Sequence, residues 1–99
     1  MEFKIKDNAA WGVIGYGSWA TALAGLLTKS GNRIGWYIRN REVLEGLQAE
    51  GHNPKYISEL EFDRNLLNLS DDINKIVSEC DILLVSVPSA YLTTFLEPL

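Results

Sequence analysis

Hydrophobic positions along the chain alternate between two kinds of segment. Short runs rich in β-branched and aromatic residues are separated by longer stretches in which apolar residues recur at helical spacing. This is the pattern of a parallel sheet with crossover helices. The first run, Trp11 to Ile14, predicts a strand that leads straight into Gly15-Tyr16-Gly17-Ser18-Trp19-Ala20. Ala20, Leu23, Ala24 and Leu27 then recur at i, i+3, i+4 and i+7, so a helix beginning there carries one apolar stripe. Gly31 supplies its stop.

A second strand is expected over Arg33 to Ile38, followed by the polar turn Arg39-Asn40-Arg41 and a helix from about Glu42 to Ala49 that ends at Gly51. Between Gly51 and Leu66 the pattern fails, and Asn53-Pro54 marks a long connection lying over a neighbouring surface. A weak strand over Leu66 to Leu69 comes next, then Ser70 as the expected N-cap of a helix running to Glu79, with Ile73, Ile76 and Val77 on its buried face. Asp81 to Val87 is the clearest strand, nearly all apolar as a strand covered on both faces must be, and Pro88 ends it. Ala90 to Leu96 is expected to open another helix. The fold class predicted is α/β, a Rossmann-type doubly wound and mainly parallel sheet. With four candidate strands where a complete dinucleotide fold has about six, the domain is expected to be truncated before completion.

Composition narrows the function. A chain of 99 residues, 46% hydrophobic and 22% charged, suits one ordinary globular domain. A net charge of -4 and scattered basic residues argue against a nucleic-acid partner. Cys80 is the single cysteine and His52 the single histidine, so one chain can build neither a disulfide framework nor a Cys/His metal cluster. Cys80 is expected to pack as a small apolar residue. No apolar run is long enough to span a bilayer and the N-terminus lacks a signal-like core, which predicts a cytoplasmic protein without membrane insertion.

Gly15-x-Gly17-x-x-Ala20 fits the dinucleotide fingerprint, in which each small residue has a mechanical task. The first permits the tight turn from strand to helix, and the second lets the backbone approach a pyrophosphate. The third must be small because helix and strand pack closely there. Unpaired amides and the positive end of the helix dipole then face the anion. Ser18 and Trp19 stand at the same helix start; the plainer reading makes them a capping serine and a tryptophan packed on the next loop.

NAD-selective folds place an acidic residue about 20 positions after the first glycine, yet the window Tyr37-Ile38-Arg39-Asn40-Arg41 holds no carboxylate. Arg39 can stack on adenine or pair with a 2'-phosphate, so NADP should be accepted at least as well as NAD. A solvated turn arginine is the plainer alternative.

The stretch Val13-Ile14-Gly15-Tyr16-Gly17-Ser18-Trp19-Ala20-Thr21-Ala22-Leu23-Ala24 resembles the opening of bacterial NAD(P)-dependent glycerol-3-phosphate dehydrogenases. Tyr37-Ile38-Arg39, Asn53-Pro54-Lys55-Tyr56 and Asp81 to Ser89 resemble three further segments of that family. The resemblance implies that Ser18, Trp19, Arg39, Asn40 and Tyr56 lie at the cofactor, with Pro88 near the nicotinamide. Members commonly have glycine where this chain has Ala20, and a small residue where it has Tyr16. It further implies residues 1–99 as a dinucleotide-binding domain, with a helical catalytic domain outside this chain. The parent protein would interconvert dihydroxyacetone phosphate and sn-glycerol 3-phosphate for phospholipid synthesis.

The family's essential lysines lie beyond residue 99, so these residues contain no catalytic group, and binding without turnover is expected. A homodimer of the full-length protein is left open. Three rivals stand beside this reading: another reductase with a similar N-terminal domain, of 3-hydroxy acid or ketopantoate type, a non-catalytic NAD(P)-sensing module, and a Rossmann-like domain with no ligand.

Overall fold

The computed structural model describes residues 9–87, 94 and 96–99. Four strands, Trp11–Ile14 (β1), Ile34–Tyr37 (β2), Leu67–Ser70 (β3) and Ile82–Val85 (β4), form one sheet in the order β3-β2-β1-β4. Every neighbouring pair is parallel, with Val13 opposite Trp36 and Leu84, and Trp36 opposite Leu69. The chain moves outward from β1 through β2 to β3, then returns to the other side of β1 to lay down β4. That reversal is the doubly wound topology, and it puts the switch point at the carboxyl end of β1.

Side-chain alternation divides the core into two layers. Val13, Ile34, Trp36 and Ile38 face helices Ser18–Lys29 (α1) and Arg41–Glu50 (α2), meeting Ala20 and Ala24 of the first and Val43, Leu44 and Leu47 of the second. Ile14 and Tyr37 point the other way, onto Ile73 and Ile76 of helix Ile73–Glu79 (α3). Close approach on this second side depends on Gly12, where a Cβ would lie 2.7 Å from Leu83 Cδ2 and 2.8 Å from Cys80 Sγ. Cys80 does pack as an apolar residue: it is half-buried in this layer, its thiol lies 3.5 Å from the Trp11 carbonyl, and burial pushes its pKa up.

Helix ends follow the local chemistry. Behind α1, Asn32 N donates to Leu27 O and Gly31 N to Thr28 O, with Gly31 at φ 85°, a left-handed stop that glycine adopts without strain. Asn40 caps α2 by accepting from Val43 N, and Gly51 at φ 76° closes it. At α3 the cap is Asp72, whose Oδ1 accepts from Asn74 N and Lys75 N; the expectation of Ser70 is corrected by two residues. Ser70 ends β3 instead, and its hydroxyl accepts from Asp72 N, so it props the capping residue.

A second correction concerns β4. It is shorter than Asp81 to Val87, and among the described residues it lies at the sheet's edge, half-buried and with Val85 46% exposed, without cover on both faces. A continuous apolar run signals a strand, but the elements that cover it are set by tertiary placement. The connection from Gly51 to β3 is anchored by buried Asn53 and Phe62 and ends in a 3-10 turn over Arg64–Leu66. Of the helix expected from Ala90 to Leu96, positions 94 and 96 are helical; the rest falls outside the described residues.

Candidate functional site

The carboxyl end of β1 runs into α1 through three residues, Gly15-Tyr16-Gly17. Gly15 sits at φ 121°, and a Cβ there would lie 2.1 Å from the Ser86 carbonyl oxygen, so this position accepts glycine alone. Gly17 is the N-cap of α1 with an extended backbone, φ -73°, that any residue can adopt. A Cβ built on Gly17 would meet no protein atom within 4 Å. Folding therefore makes no demand for glycine at 17, whereas a ligand that approaches the main chain does.

The first bond inside the helix runs from Thr21 N to Gly17 O at 2.9 Å. The amides of Ser18, Trp19 and Ala20 precede it and have no i-4 acceptor in the helix. They face outward at the positive end of the helix dipole. Ala20 is fully buried under the sheet layer, as the third small position requires.

Behind the turn, each of its three carbonyl oxygens is taken by a side-chain donor. Trp36 Nε1 donates to Gly15 O at 2.6 Å, Asn53 Nδ2 to Tyr16 O at 2.9 Å, and Thr21 Oγ1 to Gly17 O at 2.7 Å. Asn53 is completely buried; its Nδ2 also donates to Thr21 Oγ1, and its Oδ1 accepts from Lys55 N and Tyr56 N. This one amide ties the 53–56 loop to the glycine turn, and the Tyr56 ring lies 6.1 Å from that of Tyr16.

The plainer reading of Ser18 and Trp19 does not describe their environment. Ser18 is the first helical residue, exposed, and the helix has no side-chain cap. Trp19 is 77% exposed, the most exposed large apolar side chain among the described residues. Arg39, exposed just past β2, is close enough to Tyr37 for its positive charge to pull down a phenol pKa that burial raises more strongly. Asp71 and Asp72 raise it further. Arg41 pairs with Asp71 at 3.7 Å and Glu45 at 3.6 Å on the surface. Asn40 spends its Oδ1 on the α2 cap. Pro88 lies outside the described residues.

Gly15, Gly17, Ser18, Trp19 and Ala20 thus form one continuous turn, with Tyr56 bonded to it through Asn53. Arg39 and Asn40 follow the neighbouring strand, whose Tyr37 carbonyl accepts from Gly15 N at 3.3 Å. Trp36, Thr21 and Asn53 were not singled out as site residues from sequence. Asn53 carries a turn signal and, like Thr21, lies in a stretch that resembles the family, but neither signal reveals a buried amide or the carbonyls it holds. A hollow of about 640 Å³ opens at the opposite end of the sheet, lined by Trp11, Asn32, Arg33, Asn68, Glu79 and Cys80. The C-termini of α1 and α3 reach it, so their dipoles disfavour an anion there, and the strand carboxyl ends lie on the other side.

Comparisons with known proteins identify the family and the fold. Residues 11–99 match the family model described as the NAD-dependent glycerol-3-phosphate dehydrogenase N-terminus. A glycerol-3-phosphate dehydrogenase [NAD(P)+] of Nitratidesulfovibrio vulgaris (strain Hildenborough) is 36% identical over 87 residues, covering 88% of this chain and 26% of the relative. One of the same name from Limosilactobacillus reuteri (strain DSM 20016) is 32% identical over 77 residues, 78% of this chain and 22% of the relative. The crystal structure of a glycerol-3-phosphate dehydrogenase from Coxiella burnetii superposes with a TM-score of 0.74 at 28% identity, covering 83% of this chain and 25% of that one. The chain thus spans about a quarter of the length of the relatives it matches. With the family model matched from β1 onward and the same fold in a solved relative, the chain belongs to the NAD-dependent glycerol-3-phosphate dehydrogenase N-terminal family.

Proposed function

We propose that this domain binds a nicotinamide adenine dinucleotide, NADP or NAD, as the coenzyme-binding part of a glycerol-3-phosphate dehydrogenase. The observation that carries the reading is the open space over Gly17, beside helix amides without intrahelical acceptors. Room for backbone to touch a diphosphate and donors aimed into that room are what the anion requires. In this reading the diphosphate rests on the amides of Ser18, Trp19 and Ala20. The Trp19 ring lies against the coenzyme, and Tyr56 and Asn40 border it. Arg39 meets the adenosine end, where it favours a 2'-phosphate. Pro88 is assigned to the nicotinamide side by family resemblance.

The bound coenzyme supplies hydride transfer, and the protein supplies position and electrostatics. In the parent protein, by family resemblance, the substrate pair is dihydroxyacetone phosphate and sn-glycerol 3-phosphate, feeding phospholipid synthesis, and a cytoplasmic location goes with that reading. Residues 1–99 hold and orient coenzyme without turning it over. The rival reductase and sensor readings have no observation of their own in favour.

Isothermal titration of the chain with NADPH and NADH tests the proposal. Saturable binding of either is expected. A folded chain that binds neither would end it.

A further inference from the structure

The glycine turn carries three peptide carbonyls next to the amides that face the proposed diphosphate. A carbonyl oxygen aimed at that diphosphate would repel it, and flipping one peptide exchanges an amide for a carbonyl at the same place. Gly15 and Gly17 have no Cβ to resist such flips, so the residues that make the turn possible also make it labile. All three oxygens are nevertheless held from the protein side, by Trp36 Nε1, Asn53 Nδ2 and Thr21 Oγ1 at 2.6, 2.9 and 2.7 Å. The donors come from three different elements: β2, the connection after α2, and α1 itself.

From this arrangement we infer that Trp36, Asn53 and Thr21 are positioning residues for coenzyme binding. Together they lock the carbonyls of residues 15–17 inward, so that the turn presents amides alone to the diphosphate. The inference rests on the coenzyme reading above. Asn53 is the centre of the lock, because its Nδ2 serves both Tyr16 O and Thr21 Oγ1 while its Oδ1 holds the amides of Lys55 and Tyr56. Both ends of its side-chain amide are used, and no buried side-chain polar atom among the described residues lacks a partner. Removing the Trp36 or Asn53 donor leaves a carbonyl free to rotate outward; Gly17 O keeps its 2.9 Å bond from Thr21 N, so the Thr21 hydroxyl contributes by fixing Asn53 Nδ2 against Tyr16 O. The binding-competent fraction of the turn then falls, and apparent affinity falls with that fraction.

The test uses four variants: Thr21→Val, which keeps the shape and deletes the hydroxyl, Thr21→Ser, which restores it, Asn53→Ala and Trp36→Phe. NADPH affinity is read by isothermal titration, and NMR titration compares ADP, which carries the diphosphate, with adenosine, which does not. Thr21→Val should weaken NADPH and ADP by about three- to tenfold, the worth of one buried hydrogen bond, and leave adenosine unchanged; Thr21→Ser should recover the parent affinity. Asn53→Ala, which deletes both bonds made by Nδ2 and the acceptor of Lys55 N and Tyr56 N, should lose more. The double variant should lose less than the two singles combined, because they share a bond.

A folded Thr21→Val chain that binds NADPH like the parent would overturn the inference while leaving the coenzyme reading intact. Equal losses for ADP and adenosine would also overturn it, since a general loosening of the domain would weaken both alike. If the parent binds neither coenzyme, both readings fall together. Should Asn53→Ala not fold, the Thr21 pair decides the question alone.

Discussion

Replacing each glycine of the turn separates what the fold needs from what the coenzyme needs. At Gly17 a valine has an allowed backbone and open space around its Cβ. Its cost at the helix start, about 0.5–2 kcal/mol relative to a good cap, is partly offset by the stiffer unfolded chain, about 0.4–1 kcal/mol. The net change should stay within about 1 kcal/mol. The isopropyl group, however, fills the space the diphosphate would occupy. Displacing an anion from two amide donors, each worth about 1.5–3 kcal/mol to a charged group, weakens binding by at least about a hundredfold.

At Gly15 the effects reverse. A non-glycine residue at φ 121° costs about 1–3 kcal/mol, and its Cβ drives the Ser86 carbonyl away, straining the 2.8 Å bond from Ser86 N to Ile14 O that joins β4 to β1. At roughly 4–8 °C per kcal/mol for a domain of this size, the backbone strain alone should lower the Tm of Gly15→Ala by about 4–24 °C, and the clash at Ser86 adds to it. Thermal melts and NADPH titration of both variants supply the comparison. A Gly17→Val protein with parental Tm and NADPH affinity within about threefold of the parent would refute the reasoning, because the space over Gly17 would then be unused.

Three further outcomes are expected. Arg39→Ala should weaken NADPH about tenfold and NADH by less, as loss of one charge-assisted contact to the 2'-phosphate predicts; equal losses in a calorimetric comparison would count against that role. Trp19→Phe should abolish the long-wavelength part of the fluorescence quench produced by NADPH, since Trp36 is fully buried and Trp11 half-buried while Trp19 is exposed. Cys80 should react with iodoacetamide more slowly than a free thiol from pH 7 to 9, approaching it only as pH rises further. Burial raises its pKa first of all, with Glu79 and Asp81 adding to the effect against the backbone bond at Gly35, so less thiolate exists at any given pH. Alkylation of the folded chain at the rate of a free thiol at pH 8 would contradict the burial argument.

The glycine turn, the strand before it and the helix after it were legible because each rests on residues adjacent in sequence. Hydrophobic period changes at Gly15, and the small residues fall at fixed offsets. Stops at Gly31 and Gly51 were readable for the same reason, each being a left-handed position that glycine fills best. The α3 cap was less legible, since Ser70 and Asp72 are both good capping residues and the structure uses the first to hold the second. The long-range part of the carbonyl lock was not legible at all. Asn53 finds Tyr16 and Thr21 from 37 and 32 positions away, and Trp36 reaches Gly15 across 21. Such pairings exist only once the sheet has registered. Arg39 shows the intermediate case: its place after β2 follows from pattern, but its influence on Tyr37 needs the fold.

The position of β4 bears on how the domain behaves in solution. Its inner side is zipped to β1, while its outer row of amides and carbonyls has no strand beside it among the described residues. Its four residues, Ile-Leu-Leu-Val, contain neither a charge nor a proline to discourage pairing. An edge of this composition, wherever it is left unpaired, is a template for any extended segment. Lysine in place of exposed Val85 would act as a gatekeeper there, keeping concentrated solutions clear while leaving the glycine turn untouched.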